Sequence, residues 1–145
     1  MSESDPCTPG TLGGQLRVSL QRIARKLRAQ RGEADLTDGQ FAVLASIKRH
    51  GPMTPGALAE HENIRPPSMT RTVNTLVDLG LVAKASHESD KRLVVVELTE
   101  AGLNEIAVTR RRRDAWLTKK LGQLTPEERQ TLADASELLT RIASQ

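Results

Sequence analysis

Two short helical segments with almost nothing between them constrain this chain more than any other feature. Thr54-Pro55 supplies an N-cap followed by proline at the first helical position, and Gly56-Ala57-Leu58-Ala59-Glu60 continues the helix. His61-Glu62-Asn63 is too short for anything but a tight turn, and asparagine tolerates a left-handed backbone. Arg65-Pro66-Pro67-Ser68 then opens a second helix, because proline is welcome only in a first turn. In that helix Met69, Val73, Leu76 and Val77 share one side, and Gly80 stops it after Leu79. Two helices joined this tightly form a helix-turn-helix.

The next segment of chain completes a larger unit. Leu81-Val82-Ala83-Lys84-Ala85 and Leu93-Val94-Val95-Val96-Glu97-Leu98 flank the charged turn His87-Glu88-Ser89-Asp90-Lys91-Arg92. Two β-branched runs around such a turn read as a hairpin, and a hairpin directly after a helix-turn-helix is a winged helix. Ahead of it, Thr37-Asp38-Gly39-Gln40 has the form of a capping box, so a helix is expected from Asp38 to His50, stopped by Gly51-Pro52. At the N-terminal end, Leu12, Leu16, Leu20, Ile23 and Leu27 mark one helical face, in a helix expected to end at Gly32. The other face holds Arg17, Arg22, Arg25, Lys26, Arg28 and Arg31, with no acid between Gly13 and Gly32. Thr99 caps a long helix to about Gly122, and Thr125-Pro126-Glu127-Glu128 starts a last one with Leu132, Ala135, Leu138, Leu139 and Ile142 on its apolar side.

The expected fold is mainly α with a small β-hairpin: a winged helix-turn-helix whose N- and C-terminal helices form a dimerisation domain. Residues 1–11 read as a flexible tail, 12–34 and 103–145 as the helical dimerisation region, and 35–102 as the nucleic-acid-binding region. The dimer is expected because an amphipathic helix at each end of a 145-residue chain is best covered by a partner. Leu12, Leu16, Leu20, Trp116, Leu132, Leu138, Leu139 and Ile142 are the residues expected in that interface.

Composition narrows the function. Phe41 and Trp116 are the only aromatic residues besides histidine, so stacking of bases on side chains is excluded as a binding mode. No apolar run approaches the roughly 18 residues of a membrane span, and the N-terminus lacks a secretory pattern. The single cysteine cannot form an internal disulfide, which fits a cytoplasmic protein. Net charge is only +3, but the 21 basic residues are mostly Arg and the pI is near 9.4, a balance that suits a polyanionic partner.

The outward arc of the second helix of the helix-turn-helix carries Ser68, Arg71, Asn74, Thr75 and Asp78, with Thr70 at its edge and Arg65 before it. Small hydrogen-bonding side chains and one Arg suit a helix lying in a major groove: Arg can take guanine O6 and N7 together, and Asn can pair with adenine. Free amides at its N-terminus can meet a phosphate. Alone, this would be the polar side of any amphipathic helix; the winged-helix context makes it a DNA-reading face. At the hairpin tip, Asp90-Lys91-Arg92 sets an Arg beside a carboxylate that can aim it into a minor groove.

The run Ile64–Val82 (IRPPSMTRTVNTLVDLGLV), Ser89-Asp90-Lys91-Arg92 and Val96–Gly102 (VELTEAG) together resemble the MarR family of winged-helix regulators, over about residues 12–143. The resemblance implies an obligate homodimer, most often a repressor, binding double-stranded DNA, with Pro67, Ser68, Thr70 and Arg71 at the recognition positions. It further implies Arg92 as the minor-groove residue and Asp90 as the carboxylate orienting it. Ala83-Lys84-Ala85 departs from the pattern, since relatives often carry one or two Arg there; Lys84 can keep a phosphate contact and Ala85 cannot. Many relatives respond to small aromatic or lipophilic compounds, and Arg17, Arg49 and His50 are available here to an anionic effector.

Other features read more plainly. Arg110-Arg111-Arg112-Arg113 spans a full helical turn, so a solvated belt fits it best; intersubunit pairing with Glu127, Glu128 or Asp134 is the functional alternative, and DNA contact a third. Cys7 lies in the tail without a cation to activate it, and the chain has no Tyr, which argues against a thiol peroxide sensor. His50, His61 and His87 fall one per element, so no metal site is expected. No nucleophile–base pair or Gly-rich phosphate loop appears, so neither catalysis nor a cofactor is expected. The alternative to a specific regulator is an architectural or protein-interaction module that binds DNA weakly and without sequence choice.

Overall fold

Thr37, Thr54, Thr99 and Thr125 each accept, through the side-chain oxygen, a backbone N–H from three residues ahead, and each opens a helix. The computed structural model describes residues 5–86 and 89–145. It arranges them as α1 (Pro9–Arg28), α2 (Asp38–His50), α3 (Pro55–His61), α4 (Pro66–Asp78), β1 (Val82–Ser86), β2 (Val94–Leu98), α5 (Glu100–Leu121) and α6 (Pro126–Ala143). His87 and Glu88 of the expected wing turn, and residues 1–4 of the expected tail, lie outside the described residues.

Both capping boxes close reciprocally. The Gln40 side chain accepts from the Thr37 amide at 3.0 Å while Thr37 Oγ1 accepts from the Gln40 amide at 3.2 Å. Thr125 and Glu128 repeat the exchange at 2.9 and 3.2 Å. The first helix departs from expectation at both ends. It starts at Pro9 rather than Leu12, because Thr8 is extended and proline takes the first helical position. It ends at Arg28 rather than Gly32, as the chain leaves the helical path to bury Gly32 beneath Glu105 and Thr109 of α5.

The strands pair antiparallel, Val82 opposite Leu98 and Ser86 opposite Val94. A third element joins them that the sequence pattern does not announce. Met53, set between Pro52 and Thr54, exchanges two backbone hydrogen bonds with Val96, at 2.7 and 3.1 Å. The hairpin is thus attached to the connection between α2 and α3 as well as to α4.

The core lies between Leu36 and Ile106: Val43, Leu44 and Ile47 of α2, Leu58 of α3, Met69, Val73 and Leu76 of α4, and Leu81, Val82 and Val96 meet there. By contrast, no residue of α1 or α6 is buried. Leu12, Leu20 and Ile23 of α1 and Leu132, Leu138 and Ile142 of α6 are all at least 40% exposed.

Candidate nucleic-acid interface

The tight turn between α3 and α4 is fastened on three sides. Asn63 adopts φ +54°, the left-handed conformation its side chain permits, and the Ile64 amide reaches back to the Ala59 carbonyl at 2.9 Å. The Ser46 hydroxyl of α2 donates to the Glu62 carboxylate, which ties the turn to the helix behind it. The orientation of α4 is therefore set by backbone, by a partly buried side-chain bond and by the packing of Met69, Val73 and Leu76.

On the outer side of α4, Arg65, Pro67, Thr70, Arg71, Asn74 and Thr75 are exposed, while Ser68 is half-buried. Thr70 and Thr75 donate their hydroxyl protons to the carbonyls of Pro66 and Arg71, each at 3.0 Å, which leaves their oxygens free to accept. A long contact of 3.5 Å from Arg71 Nη2 to Ser68 Oγ leans the guanidinium along the helix face. The helix N-terminus offers less than expected to an anion. Its first two residues are proline and bear no N–H, so Ser68 supplies the first amide.

The wing contributes three further cations. Lys84 Nζ of β1 donates to Asn74 Oδ1 of α4 at 3.0 Å, joining hairpin to helix. This changes what Asn74 can do, because a bidentate contact to adenine needs its carbonyl as well as its amide group. At the tip, Arg92 donates through Nε and Nη2 to the two carboxylate oxygens of Asp90, at 3.2 and 3.4 Å, and Asp90 also accepts the Arg92 backbone amide at 3.0 Å. The Arg92 side chain is nonetheless 91% exposed. An ion pair that open adds little to stability; its consequence is direction. Lys91 is exposed beside it.

The LTEAG segment leading into α5 is explained by the same hairpin. Thr99 Oγ1 donates to the Gly80 carbonyl at 2.6 Å and accepts from the Gly102 amide at 3.1 Å. A Cβ at residue 102 would overlap the carbonyl oxygen of Leu81, so only glycine lets α5 approach the end of α4 this closely.

A second constellation lies at the junction of α1 and α2. The buried Glu105 carboxylate of α5 accepts the Ala34 amide with both oxygens, at 3.1 and 3.2 Å, directly over Gly32. Arg112 Nη1 donates to the Arg31 carbonyl at 2.9 Å and Arg113 Nε to the Gln30 carbonyl at 3.3 Å. The Arg113 guanidinium also lies 4.6 Å from the centre of the Phe41 ring. Desolvation by burial lowers its pKa, an effect that Asp38 opposes and Arg28 reinforces. Half of the four-Arg run is thus engaged with main chain, while Arg110, Arg111 and Arg112 are all exposed and only Arg113 is half-buried. Of its suggested partners, Glu128 is engaged in its capping box and Asp134 accepts from Gln130 at 3.0 Å. The sequence signal for this junction is Glu105 lying one residue from Ile106 on the buried side of α5, with Gly102 and Thr109.

The remaining expected residues are dispersed. Arg17 hydrogen-bonds Gln21 on α1 at 3.4 Å, whereas Arg49 and His50 share a cleft with His61 and Glu62. The histidines do not stay one per region. Folding brings His50 and His61 to 2.7 Å, because α2 and α3 end side by side, while His87 lies outside the described residues. Cys7 is exposed. Of the expected interface residues, Leu12, Leu20, Leu132, Leu138 and Ile142 are exposed, and Leu16, Trp116 and Leu139 are half-buried. Among the described residues, no helix is long and apolar enough to cross a membrane.

Comparison with known proteins agrees with this architecture. Residues 36–94 match the model of the MarR family. The HTH-type transcriptional regulator MT0903.1 of Mycobacterium tuberculosis is 36% identical over 134 residues, covering 92% of this chain and 94% of that protein. The HTH-type transcriptional repressor MdtR of Bacillus subtilis is 27% identical over 136 residues, covering 91% and 86%. In structure, a MarR family protein from Bacillus stearothermophilus superposes with a TM-score of 0.76 at 22% identity, covering 99% of this chain and all of that one. With helix-turn-helix, wing and flanking helices all in place, the chain belongs to the MarR family of DNA-binding transcriptional regulators and is not an enzyme.

Proposed function

We propose that this regulator is a cytoplasmic homodimeric repressor that reads a pseudo-palindromic operator in duplex DNA and is released by a small lipophilic or aromatic anion. The observation that carries the reading is the outer side of α4, where Arg71 stands among small hydrogen-bonding side chains over a fully buried Met69-Val73-Leu76 face. Arg71 is assigned to a guanine edge, Thr70 and Thr75 to base amino groups, whose protons their hydroxyl oxygens accept, and Arg65, Lys84 and Lys91 to phosphates. Arg92, aimed by Asp90, is assigned to the adjacent minor groove.

The uncovered apolar faces of α1 and α6 support the dimer. A cleft of about 420 Å³ between α1, α5 and α6, lined by Ile23, Leu117, Leu121 and Leu132, is an apolar surface of the kind that a second subunit covers. Two-fold symmetry then places the half-sites about one turn, ~10 base pairs, or a small multiple apart. Repression is supported by the likeness to MdtR. The effector class rests on the family resemblance, with Arg49 and His50 as cationic or polar contacts.

The test is a binding titration against the DNA flanking the protein's own gene and against scrambled duplexes, repeated at several salt concentrations. A preference of roughly 10³-fold or more for one flanking duplex is expected. Equal affinity for all duplexes would instead establish a non-specific architectural module. A panel of aromatic carboxylates added to the operator complex tests release.

A further inference from the structure

Two imidazoles from different helices converge on the outer surface of the helix-turn-helix. His50 is the last residue of α2 and His61 the last of α3, both exposed, with their Nε2 atoms 2.7 Å apart. Their ring centroids are 4.3 Å apart and the planes cross at 88°, so the rings meet edge on rather than stacked. One imidazole must donate and the other accept across that distance; with the donor ring in its other tautomer, both Nε2 lone pairs face the gap between the rings. A first-row divalent ion bonded to both at about 2.0–2.1 Å replaces the shared proton.

Geometry discriminates among such ions. Adjacent ligands at right angles, as in tetragonal coordination, stand about 2.9 Å apart, whereas tetrahedral ligands stand about 3.3 Å apart. The first arrangement needs the rings to separate by only a few tenths of an ångström. Tetragonal N,O coordination is the preference of Cu²⁺ and Ni²⁺, and Cu²⁺ is the more strongly bound at a given site. The C-terminal carbonyl end of α2 points its partial negative charge here, and Arg49 of the same turn brings a positive one. The imidazoles line a cleft of about 300 Å³ with Ser46, Arg49 and Glu62. The Glu62 carboxylate is held by the Ser46 hydroxyl, and no group of three or more His, Cys, Asp or Glu able to hold a metal forms among the described residues. The remaining coordination positions therefore belong to water.

We propose that His50 and His61 form an open two-histidine chelate for a divalent transition metal, with Cu²⁺ preferred, clasping the end of α2 to the end of α3.

The experiment titrates Cu²⁺ alone into tag-free protein carrying Cys7→Ser, which removes the free thiol. One Cu²⁺ per chain is expected, with electron paramagnetic resonance showing a tetragonal ion coupled to two imidazole nitrogens. His50→Gln and His61→Gln, which keep polar side chains at exposed positions, are each expected to weaken binding by more than about tenfold, the scale on which even outer-shell changes act. His87→Gln is expected to leave affinity and spectrum unchanged. Cu²⁺ should raise the melting temperature of the Cys7→Ser protein and not that of the double glutamine variant. Unchanged Cu²⁺ affinity in the double variant, or a spectrum without two imidazole nitrogens, overturns the proposal.

Discussion

The DNA contacts proposed for Arg71 and Arg92 follow different physical routes, and their substitutions should separate accordingly. Arg71 stands exposed on α4, where among the described residues its guanidinium makes only a long contact to Ser68, so it is available for a bidentate base contact. Arg71→Ala is expected to cost about 1–3 kcal/mol of specific binding and to relax preference at one base position, measured by titration against single-base operator variants. A uniform loss across all duplexes would make Arg71 a phosphate contact. Arg92→Ala should weaken binding most where the flanking minor groove is A·T-rich and narrow. Asp90→Ala should reproduce part of that loss while leaving the Arg in place, because the carboxylate that directs it is gone. Asn74 is the residue whose reading the fold altered. Its sequence position indicated an adenine contact, but the 3.0 Å bond from Lys84 engages the carbonyl that such a contact needs. Nothing in residues 74–84 announces that bond, since it depends on how β1 crosses α4.

At the scale of elements, two close approaches hold the winged helix to its neighbours. Gly102 lets the start of α5 lie against the Leu81 carbonyl, and Gly102→Ala forces that backbone apart. The expected cost is about 1–3 kcal/mol, typical of overpacking, read as a lower midpoint in urea. At the other junction, Glu105 of α5 holds the Ala34 amide in the loop joining α1 to α2. Glu105→Ala removes the acceptor and leaves the amide unpaired, an expected loss of about 1–3 kcal/mol, with Glu105→Gln milder because an oxygen remains. Arg112 and Arg113 grip the same loop, so the four-Arg run is in part a clasp between the N-terminal helix and the winged helix. The starts of α2 to α6 were legible because a capping Thr, or a proline at the first helical position, is local chemistry; that of α1, at Pro9, was read three residues late. The clasp was not legible, since its partners are some 70 to 80 residues apart in sequence.

For the whole molecule, the distribution of apolar surface is decisive. The core is confined to the winged helix and the first turns of α5, while α1 and α6 bury no residue within a single chain and leave Leu12, Leu20, Ile23, Leu132, Leu138 and Ile142 exposed. A Leu138→Glu, Ile142→Glu double substitution is therefore expected to leave the winged helix folded but convert the proposed dimer to monomer, measured by sedimentation. Operator affinity should fall with it, because each half-site is then bound without its tethered neighbour. A wild-type chain that sediments as a monomer at micromolar concentration would contradict the dimer.

Element order, the helix-turn-helix, the hairpin and the outward face of α4 were all legible in the sequence alone. Each rests on periodicity or on a cap whose partner lies within a few residues, which local chemistry decides. The Met53–Val96 bridge, the Lys84–Asn74 bond, the Glu105 junction and the meeting of His50 with His61 were decided only by tertiary structure. They join residues from separate elements. Their distances depend on how those elements pack, and no residue carries that information in its own neighbourhood.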